Sequence, residues 1–195
     1  QLTRLRQLCC DPGLCYENYT GGSAKLETCM ELVSGAVESG HKILLFSQFT
    51  SMLDILEERL VSEGTACYKL TGQTGKEERA RLVRAFNEDQ VPVFLISLKA
   101  GGTGLNLTAA DVVIHFDPWW NLAAQNQATD RAHRIGQKKV VSVFRLIARD
   151  TIEEGILKLQ EMKRELTDQV IEQEASSFGH LDRETLIRLL EETNV

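Results

Sequence analysis

Apolar residues recur along this chain in two alternating patterns, and the alternation predicts the architecture. Leu26, Met30, Val33 and Val37 fall at helical spacing, so Lys25 to Ser39 reads as an amphipathic helix that Gly40 stops. The run Lys42-Ile-Leu-Leu-Phe-Ser47 has the length and flanks of a buried strand. Phe49 to Glu63 carries Met52, Leu53, Leu56 and Leu60 on one side and ends at Gly64, and a second strand follows at Ala66 to Leu70. The pattern then repeats, with a charged amphipathic helix over Gly75 to Asn87 and strands at Val93 to Ser97, Val112 to Phe116 and Val140 to Ile147. A helix over Asn121 to Gln137, stopped at Gly136, separates the last two. Elements alternating in this way predict an α/β fold, a parallel sheet with helices on both faces.

The ends of the chain read differently. Leu2, Leu5 and Leu8 give a short amphipathic helix that Pro12-Gly13 ends, with loop from Tyr16 to Ser23. Ile152, Ile156, Leu159, Met162 and Leu166 give a long helix over Thr151 to Ile171, opened by Asp150 and Glu153 as a capping box. Leu181 to Leu190 reads as a further docked helix. The predicted partition is 1–40 as a helical lead-in, 41–149 as the α/β lobe and 150–195 as a C-terminal helical appendage.

A 195-residue chain with 43% hydrophobic content carries a full core. Its net charge of −6 argues against indiscriminate coating of nucleic acid, but the charge is uneven. From Asn121 to Arg149 six bases face only Asp130, whereas from Thr151 to Val195 eleven acids outnumber five bases. A positive cleft is compatible with a negative total. No apolar run approaches the roughly 18 residues of a membrane span, so no membrane partner is expected. The start, Gln1-Leu-Thr-Arg, is neither a signal peptide nor an initiator, so a fragment of something longer is expected. Cys9, Cys10, Cys15, Cys29 and Cys67 lack metal-ligand or disulfide spacing and read as reduced intracellular thiols, with no metal site.

In a parallel sheet, ligands sit beyond the carboxyl ends of the strands. The segments leaving those ends, Ser47-Gln48-Phe49-Thr50, Thr71-Gly72-Gln73-Thr74, Leu98 to Gly104 and Asp117-Pro-Trp-Trp-Asn121, supply hydroxyls, amides and backbone N–H groups suited to phosphate. On the helix over 121–137, Gln127, Arg131 and Arg134 lie within roughly 60° of one another at about 100° per residue. Two guanidiniums on one face suit the charge that develops on a transferred phosphoryl group, and a solvated face paired with nearby acids is the alternative. Gly72-Gln-Thr-Gly75-Lys76-Glu77 is not a phosphate loop: two residues separate its glycines where four are needed, and Glu77 stands where Ser or Thr would hold magnesium. Gly102-Thr-Gly104 is no dinucleotide fingerprint, because Leu107 replaces the third glycine. The chain offers transition-state arginines without a nucleotide cradle, half of a composite site.

These residues resemble the second ATPase lobe of the SWI/SNF-related DNA translocases, a branch of the superfamily 2 helicases. Gln127 to Gln137, Gln-Ala-Thr-Asp-Arg-Ala-His-Arg-Ile-Gly-Gln, is similar to that family's sixth motif, and Ser97 to Leu107 to its fifth. Asp117-Pro-Trp-Trp-Asn121 resembles the tryptophan-bearing extension of the fifth, and Ile43 to Phe49 the fourth. Leu5 to Pro12 and Ser23 to Glu27 resemble the lead-in to the lobe, and Asp150-Thr-Ile-Glu-Glu154 the segment leaving it; the resemblance covers about Leu2 to Leu190. RNA helicases of the superfamily usually carry Arg where Gln137 and Val140 stand. Many eukaryotic members have Asn-His-Pro where this chain has Cys10-Asp-Pro, which points to a bacterial or archaeal, cytoplasmic protein, nuclear if eukaryotic.

The resemblance implies a RecA-like lobe that works with a first ATPase lobe on double-stranded DNA. ATP and Mg²⁺ would be held mainly by that first lobe, and none bound by this monomeric fragment alone. Arg131 and Arg134 would act as arginine fingers, with Gln127 setting the surface; Gly104 and Asp130 would lie beside the nucleotide, Asp130 orienting an arginine or standing as an ordinary surface acid. Gly102 and Thr103 would face DNA, as would Ser47, Gln48 and Thr74, with local capping as the alternative for Ser47 and Thr74. Trp120 would touch the minor groove and Trp119 the core. Lys99, Lys138 and Lys139 would add phosphate contacts or simply be solvated. An RNA helicase lobe, or a lapsed nucleic-acid-binding platform, is the competing expectation.

Overall fold

The computed structural model describes residues 1–101, 105–119, 121 and 140–172. The expectations for Gly102, Thr103, Gly104, Trp120, Gln127, Asp130, Arg131, Arg134, Lys138, Lys139 and the helix at Leu181 to Leu190 lie outside the described residues.

Five strands, β1 (Ile43–Ser47), β2 (Cys67–Leu70), β3 (Val93–Ser97), β4 (Val112–His115) and β5 (Ser142–Arg145), form one parallel sheet in the order β2-β3-β1-β4-β5. The helices are α1 (Leu2–Cys10), α2 (Ala24–Glu38), α3 (Thr50–Ser62), α4 (Lys76–Glu88), the single turn α5 (Leu98–Gly101) and α6 (Ile152–Glu172). The order explains the two covered faces. From β1 to β2 the chain moves one way across the sheet and from β2 to β3 it returns, so right-handed crossovers put α3 and α4 on opposite sides. One core joins Ile43, Leu45, Val93, Leu95, Val112 and Ile114 to α2 and α3 through Met30, Val33, Leu53 and Leu56. The other joins Leu44, Phe46, Phe94, Ile96 and Val113 to Leu82 and Phe86 of α4 and to Leu98, Leu105 and Leu107. Burial on both faces is why β1 and β3 are unbroken apolar runs.

Gly40 and Gly64 stop their helices as the sequence predicts, at φ of 75° and 77°. In each case the next amide reaches back five residues, His41 N–H to Ala36 O at 3.0 Å and Thr65 N–H to Leu60 O at 2.8 Å.

Three local expectations change. On α1 the predicted apolar face is not the buried one: Leu2 and Leu5 are 45% and 48% exposed, while Arg6 and Cys10 are buried. The helix is turned by the polar anchor of Arg6, described below. At the start of α6, Asp150 sits in the turn at φ 56°, and the hydroxyl of Thr151, not Asp150, accepts from Glu153 N–H at 3.2 Å. Glu153 is turned inward, accepting from Ala148 N–H at 2.8 Å and pairing with Lys25, so no capping box forms. Farther along α6, Ile156 and Leu159 are buried but Met162 is exposed. Strand β5 is an exposed edge among the described residues.

Candidate functional site

Because β3 and β4 flank β1, the carboxyl ends of three strands meet, with Ser47 paired in register to Ser97 and Phe46 to His115. Ser47 is fully buried. Its hydroxyl donates to Asp117 Oδ1 at 2.6 Å and accepts from Phe49 N–H at 3.1 Å, the local capping arrangement at the entry to α3. The same Asp117 oxygen accepts Gln48 N–H at 3.2 Å. Gln48 is half-buried, and its side-chain amide nitrogen has no hydrogen-bond partner among the described residues.

Thr74 also caps locally, its hydroxyl accepting from Thr71 N–H at 3.0 Å, in the turn before α4. Lys99 is exposed on α5, and Arg79 of α4 donates to the carbonyl of its neighbour Ala100 at 3.3 Å. Trp119 is half-buried and packs against the second core. The structure thus brings Ser47 and Gln48 to the loop that carries Asp117 and Trp119.

Asp117 is the electrostatic centre of this loop cluster. Burial pushes its carboxyl up to about 6, against the Ser47 hydroxyl, the Gln48 N–H and the Arg6 guanidinium, which favour the ionised form. Arg6 reaches in from α1: its Nη2 donates to Pro118 O at 2.7 Å and lies 3.9 Å from Asp117 Oδ2. The guanidinium also lies 5.8 Å from the Phe49 ring centre and 6.0 Å from that of Trp119. Burial lowers its pKa, with Asp117 opposing. An arginine stays charged through such a shift. Two residues before Asp117, His115 stacks on Phe46 at 5.5 Å, and burial, together with Arg145, lowers its pKa to about 4.

A second buried charge pair lies beside the first. Lys25, at the start of α2, holds the carboxylate of Glu153 in α6, and its ammonium stands 5.6 Å from the Phe116 ring centre. Gln160, about two turns further along α6, donates to the carbonyl of Trp119. Sequence spacing singled out none of Arg6, Lys25 and Gln160, and assigned Glu153 to a capping box rather than to a buried pair. Arg6, Lys25 and Gln160 read as ordinary polar helix positions, and all four find a partner more than 40 residues away, beyond the reach of any local pattern.

This arrangement places buried hydroxyl, carboxylate and guanidinium groups under loops that hold a buried amide nitrogen at Gln48 and an exposed lysine at Lys99. An exposed ammonium of this kind suits phosphate oxygens.

Residues 24–136 match the helicase conserved C-terminal domain. An uncharacterized ATP-dependent helicase of Mycoplasma pneumoniae is 44% identical over 97% of this chain and 18% of its own length. The mouse SWI/SNF-related matrix-associated actin-dependent regulator of chromatin, subfamily A member 1, is 43% identical over 88% of this chain and 18% of its own length. The Sulfolobus solfataricus SWI2/SNF2 ATPase core in complex with dsDNA superposes with a TM-score of 0.72 at 35% identity, covering 87% of this chain and 36% of that structure. The chain thus spans under a fifth of the length of these two relatives.

Proposed function

Since this chain belongs to the helicase C-terminal domain family, as the C-terminal lobe of a SWI/SNF-related superfamily 2 ATPase, we propose that it is the second motor lobe of an ATP-driven translocase on double-stranded DNA. The observation that carries the proposal is the conjunction of this fold with the segment Gln127 to Gln137. Three strand ends meet around Ser47, Ser97 and Asp117, and an Arg-x-x-Arg segment follows the loop at Asp117 in sequence.

In this reading ATP and Mg²⁺ are bound mainly by a first lobe of the same parent chain. Arg131 and Arg134 complete the site, Gln127 sets their surface, and Asp130 and Gly104 lie beside the nucleotide. Gln48, Lys99, Gly102, Thr103 and Trp120 grip the DNA backbone and minor groove without reading sequence. Ser47 and Thr74 contribute by shaping the turns that present these groups, since their hydroxyls are engaged internally. The units 1–40, 41–149 and 150–195 act as lead-in, motor lobe and brace, in a protein that is cytoplasmic if bacterial or archaeal and nuclear if eukaryotic. Closure of the two lobes on ATP and reopening after hydrolysis alternate the phosphate grips and move the duplex.

Comparison of DNA- and RNA-stimulated ATPase activity of the full-length parent protein tests this. The expected result is stimulation by duplex DNA well above that by RNA; preference for RNA makes the chain an RNA helicase lobe, and no stimulation by either makes it a binding platform.

A further inference from the structure

The carbonyls of two consecutive residues, Pro118 and Trp119, are held by side chains from opposite ends of the chain. Arg6 of α1 donates to the first at 2.7 Å, and Gln160 of α6 donates to the second. Both donors are buried, at 6% and 4% exposure, so an unmade bond at either place would leave a desolvated polar group. Arg6 is fixed in turn by Asp117 and by the rings of Phe49 and Trp119, and α1 and α6 touch each other. Neither helix belongs to the sheet or its crossovers. One enters the lobe and the other leaves it.

We propose that Arg6 and Gln160 are positioning residues that clamp the Pro118–Trp119 segment, so that the segments entering and leaving the lobe set the posture of the chain that leads into Trp120. This rests on the motor-lobe reading given above. In a two-lobed motor the entering and leaving segments are among the parts of this chain that feel the other lobe move. A side chain from each on adjacent carbonyls converts that movement into a displacement of one segment. The covalent path from α1 to the same segment is more than 100 residues long, whereas the path through Arg6 is one hydrogen bond.

The test uses the full-length parent protein with Gln160→Glu, which keeps the shape and, when ionised, puts an acceptor where the amide donor was, Gln160→Ala, and Arg6→Lys, which keeps the charge and loses the planar fork. Three quantities are read: ATPase without DNA, ATPase at saturating duplex DNA, and ATP consumed per base pair moved. Without DNA each variant should match the wild type, with an unchanged KM for ATP. At saturating DNA the rate should fall roughly tenfold, less than the roughly 10² that a 1 Å misplacement costs, and more ATP should be consumed per base pair. The double variant Arg6→Lys/Gln160→Ala should lose less than the product of the single losses, because both act on one segment.

Wild-type coupling in Gln160→Glu and Arg6→Lys overturns the clamp and leaves the motor reading standing. Equal loss with and without DNA overturns it too, since that is the signature of a merely structural role. A wild-type parent that DNA does not stimulate overturns the motor reading, and the clamp with it.

Discussion

Ser47 and Asp117, at the carboxyl ends of adjacent strands, share a 2.6 Å hydrogen bond with both side chains enclosed. The carboxyl held in this way is pushed up to about 6, while neighbouring His115 is lowered to about 4. Their effects on stability oppose one another. Between about 3.8 and 6 the folded state holds the Asp117 proton more tightly than the unfolded state does, so this contribution falls as pH rises. Between about 4 and 6.5 the unfolded state holds the His115 proton more tightly, so that contribution rises with pH.

The pair therefore predicts slopes with opposite signs in two variants. In Asp117→Asn the His115 contribution stands alone, and unfolding free energy should climb by about 3 kcal/mol from pH 4 to 6.5. In His115→Phe it should fall by a similar amount, about 3 kcal/mol, over nearly the same window. Urea titrations at stepped pH measure both, and parallel profiles for the two variants would contradict the assignment.

Lys25 and Glu153 form a buried pair that joins the lobe to α6. Lys25→Met strands the Glu153 carboxylate and should cost about 3–5 kcal/mol in chemical denaturation. Lys25→Met/Glu153→Gln should recover much of that loss, since no charge is then left unpaired. An equally large loss in the double variant would mean that packing beneath Phe116, and not charge, sets the energy.

For the 195-residue chain on its own, the half-site account predicts no ATP turnover above background, with or without DNA. A radiolabelled ATP hydrolysis assay checks this. Measurable turnover by this chain would show that its composite site needs no second lobe.

The strands and helices were legible because burial writes itself into local patterns. The runs Ile43–Ser47 and Val93–Ser97 are buried on both faces, and Gly40 and Gly64 mark stops that need positive φ. Periodicity did not carry the strand order, since nothing local says that β3 inserts between β1 and β2. The polar scaffold under the site was the least legible part. Arg6 looked like the solvent face of a leucine helix and Glu153 like half of a capping box, but partners at Asp117, Pro118 and Lys25 draw both inward. A helical pattern counts apolar residues, and here buried charges fix the orientation of α1 and the start of α6. The family motifs were legible for a different reason, because the order of residues in Gln127 to Gln137 and Ser97 to Leu107 is a signature that needs no periodicity to be read.

The central claim is that Arg131 and Arg134 complete an ATPase site held by another lobe. Its most direct test is the DNA-stimulated ATPase of the full-length parent protein carrying Arg131→Ala or Arg134→Ala, with ATP and DNA binding measured in parallel. The account predicts that both variants still bind ATP and duplex DNA while turnover falls by about 10³ to 10⁵, the range of an arginine finger. Turnover equal to wild type in either variant would contradict it.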